Sequence, residues 1–160
     1  MEHIYAEDSK RLLMEECKMD RQIKPSSINV VCTEKCNLIC VYCYRKYRRR
    51  CENQAGLMHV QQELLHINEM DISEVVLTGG EPLLYPGILD LIHMFRDKSV
   101  TILTNGILPI RKLDDVDEIV ISLDGTEEDM YLNRGVSSED YLAIRQNIAY
   151  YIRNGKQVSV

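Results

Sequence analysis

No stretch of this 160-residue chain approaches the ~18 consecutive apolar residues that a membrane-spanning helix needs. The amino terminus, Met1-Glu-His-Ile-Tyr-Ala-Glu-Asp, lacks the basic start and apolar run of a secretory leader, so a cytoplasmic location and no membrane partner are expected. Excess positive charge is missing too: a formal net charge of -6 argues against bulk nucleic-acid binding. The chain has no low-complexity linker and no internal repeat beyond a βα unit. Its four histidines, His3, His59, His66 and His93, fall at no metal-ligating spacing and read as structural or exposed. With 45% hydrophobic and 28% charged residues, the composition is that of one ordinary globular domain able to bury a core.

Short runs rich in Val and Ile alternate with amphipathic stretches. Ile28-Asn-Val-Val-Cys32, Glu74-Val-Val-Leu-Thr78, Val100-Thr-Ile-Leu-Thr104 and Ile119-Val-Ile-Ser-Leu123 have the near-continuous apolar character of buried parallel strands, and Lys156-Gln-Val-Ser-Val160 begins a fifth. Leu57, Val60, Leu64 and Ile67 recur at helical spacing, as do Tyr141, Ile144, Ile148, Tyr151 and Ile152. The latter helix has a start signal at Ser137 with Asp140 three residues on, and Gly155 at its end. Pro86 is placed to open a third helix carrying Ile88, Leu89, Ile92 and Phe95. Residues 1–25, helical over 7–21, form an amino-terminal extension ahead of a core over 26–160.

Repeated βα units give an open doubly wound sheet or a curved barrel, and both collect their functional loops at the carboxyl ends of the strands. Here the first strand runs into Cys36-Asn-Leu-Ile-Cys40-Val-Tyr-Cys43 and the second into Gly79-Gly-Glu-Pro82. The third runs into Asn105-Gly106, and the fourth into Asp124-Gly125. Every unusual segment therefore falls on one rim.

Six cysteines in a cytosolic chain stay reduced, which leaves ligation, redox chemistry or burial. Cys17 and Cys32 are scattered and read as small buried hydrophobes, and Cys51 follows a basic run and reads as exposed. Cys36, Cys40 and Cys43 are clustered: three such thiolates can grip three irons of a cubane cluster and leave the fourth open. The competing reading is a structural zinc with Cys32 or Cys51 as a fourth ligand.

The Cys-x3-Cys-x2-Cys spacing, Tyr42 just before the third cysteine, Gly79-Gly-Glu-Pro82, Thr104-Asn-Gly106 and Ser122-Leu-Asp-Gly125 together resemble the radical S-adenosylmethionine (radical SAM) superfamily over residues from about 26 to the end. With Asn133-Arg134-Gly135, the flavour is that of peptide-modifying maturases and the molybdenum-cofactor cyclase branch. The resemblance implies a partial (β/α)6 TIM-like barrel. It also implies a [4Fe-4S] cluster held by Cys36, Cys40 and Cys43, with S-adenosylmethionine chelating the open iron and yielding a 5′-deoxyadenosyl radical that removes hydrogen from substrate. Gly79 and Gly80 are then expected against the methionine amino group with Glu81 as acceptor or orienting group. Ser122, Asp124 and Asn105 suit ribose hydroxyls, and Arg134 suits the methionine carboxylate. Tyr42 lies on the same rim. No residue is assigned a catalytic role beyond cofactor binding.

The plain alternatives are turns for Asn105-Gly106 and Asp124-Gly125, a tight strand-to-helix turn for the glycine pair, and a surface site for Arg134. The run Arg45-Lys-Tyr-Arg-Arg-Arg50 reads as a solvated face, with RNA or another anionic substrate as its alternative. The implied partners are an electron donor such as flavodoxin or ferredoxin and a peptide or small heterocyclic substrate. Against a six-strand barrel the sequence holds four strands and the start of a fifth. The expectation is a piece of a longer chain truncated there, or a short chain completed by self-association or another subunit. The functional alternative to a radical enzyme is a non-catalytic iron-sulfur or zinc-binding subunit.

Overall fold

The structure is a computed structural model that describes residues 26–45, 71–112 and 114–160. Five strands form one sheet: β1 (Ser27–Thr33), β2 (Glu74–Gly79), β3 (Ser99–Thr104), β4 (Glu118–Ile121) and β5 (Gln157–Ser159). All four pairings are parallel, and the spatial order β1-β2-β3-β4-β5 is also the chain order. A doubly wound sheet reverses its strand order at a switch point. This sheet adds each strand to the same edge, the winding of a barrel wall.

The register explains why the strands are β-branched. Val30 pairs with Leu77, Leu77 with Ile102, Ile102 with Ile119 and Ile119 with Val158, so one apolar layer crosses the whole sheet. Side chains two residues apart share a face. Val75, Leu77, Val100, Ile102, Ile119 and Ile121 therefore lie on one side and are sealed there, in one core cluster with Leu91 and Phe95 and with Met130, Ile144 and Tyr151. The other face is more open. It carries Val31, Thr78 and Leu103, of which Thr78 and Leu103 line a cavity.

The described residues also hold three helices, α1 (Ile88–Met94), α2 (Glu127–Arg134) and α3 (Ser138–Arg153). The start of α3 is as expected, with the Ser137 side chain accepting from the Asp140 backbone N–H. At its other end Asn154 is the cap and Gly155 takes the left-handed φ of 72°. In α1 the cap is Gly87, so Pro86 stands before the helix; it is Pro82 that occupies the first position of a 3-10 turn, Pro82–Leu84. Helix α2 was not anticipated as an element. A capping box made by Thr126 and Asp129 starts it, and Gly135 in the left-handed region ends it. The expected helix around Leu57, Val60, Leu64 and Ile67, the extension over 1–25, Cys17, Cys51, His3, His59, His66 and residues 46–50 of the basic run lie outside the described residues. No helix among the described residues is long and apolar enough to cross a membrane.

Strand β1 enters its loop through an irregularity: Val31 faces Thr78 and Thr33 faces Gly79, leaving Cys32 as an extra residue. The chain then runs so close to the second loop that Gly80 N–H donates to the Thr33 carbonyl at 2.7 Å and Glu81 N–H to that of Lys35 at 2.7 Å. A Cβ on Gly80 would overlap the Lys35 carbonyl, and one on Gly79, whose φ is 152°, would overlap that of Thr33. Glycine is thus required by the approach of two backbones. Gly80→Ala should lower stability by about 1–3 kcal/mol, the usual cost of overpacking against atoms that cannot turn away. Urea denaturation of the variant beside the parent checks this, and an unchanged midpoint would show that the loops can separate freely.

Candidate functional site

Because all strands run the same way, the four loops after β1, β2, β3 and β4 meet at one end of the sheet. They enclose a cavity of about 230 Å³. Its walls include Cys36, Cys40, Tyr42 and Cys43 from the first loop, Gly79 and Gly80 from the second, Asn105 from the third, and Ser122 and Arg134 from the fourth and α2. These are nine of the eleven residues singled out in the sequence. The other two, Glu81 and Asp124, stand behind the wall.

Cys36, Cys40 and Cys43 are half-buried and in no disulfide. Cys32 is different. It is buried in the core with Sγ against the Val30 carbonyl, and burial pushes its thiol up to about 12, so it stays protonated as a small hydrophobe. Among the described residues no three His, Cys, Asp or Glu side chains converge on a point that one metal ion would occupy.

Glu81 is fully buried. One oxygen accepts from the Leu83 N–H at 3.1 Å and the Thr104 hydroxyl at 2.8 Å, and the other from the Asn105 N–H at 2.9 Å. Burial, only partly offset by these three donors, holds its pKa above the usual carboxylate value. The carboxylate therefore ties the second loop to the third. Asn105 carries the connection on: its Oδ1 accepts from Ile107 N–H at 3.0 Å, and its Nδ2 donates to Oδ1 of Asn37, inside the cysteine loop, at 2.8 Å. The third loop is held from outside by Asn147 Nδ2, which donates to the carbonyls of Gly106 and Ile107.

Asp124 is engaged on both oxygens. Oδ2 accepts from the Tyr42 hydroxyl at 2.5 Å and Oδ1 from Arg134 Nη2 at 2.6 Å, and the guanidinium lies 5.5 Å from the centre of the Tyr42 ring. The Arg134 hydrogen bond, more than the added one from Tyr42, holds Asp124 below the usual carboxylate range. Burial, together with donation to that carboxylate, pushes the Tyr42 phenol up to about 12. Arg134 Nε is buried with no hydrogen-bond partner among the described residues. Ser122 is fixed by its own backbone, whose N–H donates to the Thr104 carbonyl at 2.9 Å.

Asn37, Asn147 and Glu34 were not singled out in the sequence, where Thr104 stood only within Thr104-Asn-Gly106 and Arg45 only as the start of the basic run. Arg45 Nη1 meets Glu34 Oε1 at 2.6 Å across the base of the cysteine loop, which turns the first residue of the basic run inward to the cavity wall. His93, at the surface, lies 3.1 Å from Asp115 and 2.8 Å from Arg96, as a structural histidine would.

The radical SAM superfamily model matches residues 30–160. The chain belongs to the radical SAM superfamily. Enzymes of this family use a [4Fe-4S] cluster and S-adenosylmethionine. The GTP 3′,8-cyclase of Clostridium perfringens is 34% identical over 116 residues, covering 65% of this chain and 36% of that protein. The 7-carboxy-7-deazaguanine synthase of Clostridium acetobutylicum is 40% identical over 74 residues, 44% of this chain and 34% of that protein. In fold, the crystal structure of Streptococcus suis SuiB bound to S-adenosylmethionine superimposes with a TM-score of 0.68 at 21% identity, over 84% of this chain and 33% of that one. GTP 3′,8-cyclases are thus among the relatives in sequence, and SuiB is a neighbour in fold. The radical SAM chain spans about a third of the length of the relatives it matches.

Glu81→Gln tests the buried carboxylate. The amide keeps one acceptor oxygen and turns an NH2 toward a donor, so one buried hydrogen bond becomes a donor-donor contact at a cost of about 1–3 kcal/mol. Thermal unfolding should show the drop, and Glu81→Ala, which strands all three donors, should show a larger one. Equal stability of Gln and parent would mean that the carboxylate charge does not hold the loops.

Proposed function

We propose that this chain is the cofactor-binding part of a radical SAM enzyme, with Cys36, Cys40 and Cys43 each ligating one iron of a [4Fe-4S] cluster and S-adenosylmethionine lying along the rim. The observation that carries this reading is that the three clustered cysteines, none in a disulfide, and the glycine pair line one cavity. The donor set fits the group: three soft thiols sharing one cavity suit a polynuclear cluster, in which each sulfur holds its own iron. Cys32, protonated in the core, is no fourth ligand.

When bound, such a cluster supplies the electron that cleaves S-adenosylmethionine to methionine and a 5′-deoxyadenosyl radical able to abstract hydrogen. The chain's own residues bind and orient. Gly79 and Gly80 line the cavity, brought there by their close packing on residues 33–35, and offer main-chain groups to a ligand. Arg134 presents a buried, unpartnered Nε–H suited to a carboxylate. Ser122 offers a hydroxyl on the same wall, and Tyr42 and Leu103 supply apolar surface that excludes water. Glu81 and Asp124 act from behind. The substrate is a peptide or a small heterocycle, supported by relatives of both kinds: GTP 3′,8-cyclases, and SuiB, which has been solved bound to the precursor peptide SuiA. A one-electron donor of the flavodoxin or ferredoxin type completes the system.

Anaerobic reconstitution should give about four irons and four sulfides per chain. Addition of S-adenosylmethionine should change the electron paramagnetic resonance spectrum of the reduced cluster, and Cys36→Ala should abolish assembly. Stoichiometric zinc without iron, or a spectrum indifferent to saturating S-adenosylmethionine, would overturn the proposal.

A further inference from the structure

The segment between Cys40 and Cys43 has little to hold it. Val41 and Tyr42 are largely exposed, so beyond the contact of Cys40 with the core the turn is held, among the described residues, by hydrogen bonds. Within it the Cys43 N–H donates to the Cys40 carbonyl at 3.2 Å. Two bonds reach another element: the Val41 N–H donates to the Asn133 carbonyl at 2.9 Å, and the Tyr42 hydroxyl donates to Asp124. The first half of the loop is anchored independently, through the bonds from Gly80 and Glu81, the Asn37–Asn105 bridge and the buried Leu38. The two halves of one ligand loop are therefore positioned by different devices.

In the second device Asp124 is the central member. It joins Tyr42, 82 residues away in sequence, to Arg134, 10 residues away at the end of α2, and Arg134 lies over the Tyr42 ring. Each of the three touches the other two. The sequence suggested Asp124 as a ribose ligand, yet both its oxygens already hold short charge-assisted or phenolic hydrogen bonds, and it is not among the residues lining the cavity.

We propose that Asp124 is a positioning residue, the centre of a Tyr42–Asp124–Arg134 clasp that sets the placement of Cys40 and Cys43 while leaving Cys36 to the Asn37–Asn105 bridge. It rests on the cluster reading only for the use made of those thiols; the clasp is a property of the protein without any cofactor. Its effect on the loop is differential. Opening the clasp frees two of the three thiols.

The test uses the reduced, cluster-free protein and three variants, Tyr42→Phe, Asp124→Ala and the double. The rate of alkylation by iodoacetamide at each cysteine is followed by mass spectrometry of the digested chain. Tyr42→Phe removes a single oxygen from an exposed side chain and leaves the fold intact, so it keeps the test meaningful even if Asp124→Ala loosens α2. Cys40 and Cys43 should react about 2- to 10-fold faster in each single variant, the population shift expected when a hydrogen bond no longer opposes local opening. Cys36 should keep its rate. The double variant should be no faster than Asp124→Ala alone, because both substitutions open one clasp.

A second readout separates positioning from ligand contact. In the reconstituted protein, the clasp predicts that Tyr42→Phe and Asp124→Ala both alter the resonance spectrum of the reduced cluster before S-adenosylmethionine is added. Unchanged alkylation rates, equal acceleration at all three cysteines, or additive effects in the double variant would overturn the clasp. So would a cofactor-free spectrum identical to the parent's with weakened S-adenosylmethionine binding in Asp124→Ala alone, the signature of a ribose ligand. Should no cluster form in the parent, the proposed function falls, and the alkylation rates still decide the clasp.

Discussion

A carboxylate sealed from water is costly unless every strong donor around it is aimed at it, and Glu81 meets that condition with three donors taken from two loops. Because two of the three belong to Thr104 and Asn105, satisfying the charge fixes where the third loop begins. Asn105 then reaches Asn37, and so the position of the cysteine loop depends in part on a buried charge that never touches a thiol. Remove the charge and the chain of constraints has no origin.

Backbone contact reinforces the same geometry from the opposite side. Gly79 and Gly80 let the second loop run against residues 33–35 at hydrogen-bond distance, because it is on that side that a Cβ would project. The same two glycines line the cavity, so the packing that demands glycine also fixes the wall offered to a ligand. Farther out, the Glu34–Arg45 ion pair closes the base of the cysteine loop and the Asp124 clasp closes its tip. Precision in a metal-ligand loop comes from such supporting bonds as much as from the ligands.

What was legible in the sequence was what depends on local pattern. The strands declared themselves through Val and Ile runs because both their ends and their burial are set by a short window of residues. The three cysteines and the Gly-Gly-Glu-Pro stretch were legible because ligation and close approach demand particular residue types at particular spacings. Helix α2 carries a readable signal in Thr126 with Asp129 three residues on and Gly135 behind, but Met130 is its one buried residue, so it shows no apolar stripe at helical spacing. Asn37 and Asn147 gave no signal at all, and Thr104 was legible only as part of Thr104-Asn-Gly106, not as a partner of Glu81. Their hydrogen bonds span from 23 to 68 residues of chain, and an amide or hydroxyl is commonplace in any loop until the fold brings its partner near. Glu81 was expected as an acceptor or orienting group, and its burial and three donors, set by loops distant in sequence, could not be read from the Gly-Gly-Glu-Pro stretch.

The order of the strands has a consequence for how the chain assembles. The β3–β4 pairing joins Thr101 to Glu118, whereas β1–β2 joins Ser27 to Glu74 and closes the widest loop in the sheet. Loop-closure entropy grows as the logarithm of that span, which puts β1 about 0.9 kcal/mol behind β3–β4 on this ground alone. The strand that carries the thiols is thus the one whose docking is entropically hardest, and a group that binds the thiols only in their native arrangement pulls β1 onto the sheet by mass action. Loading the site and finishing the sheet become a single equilibrium.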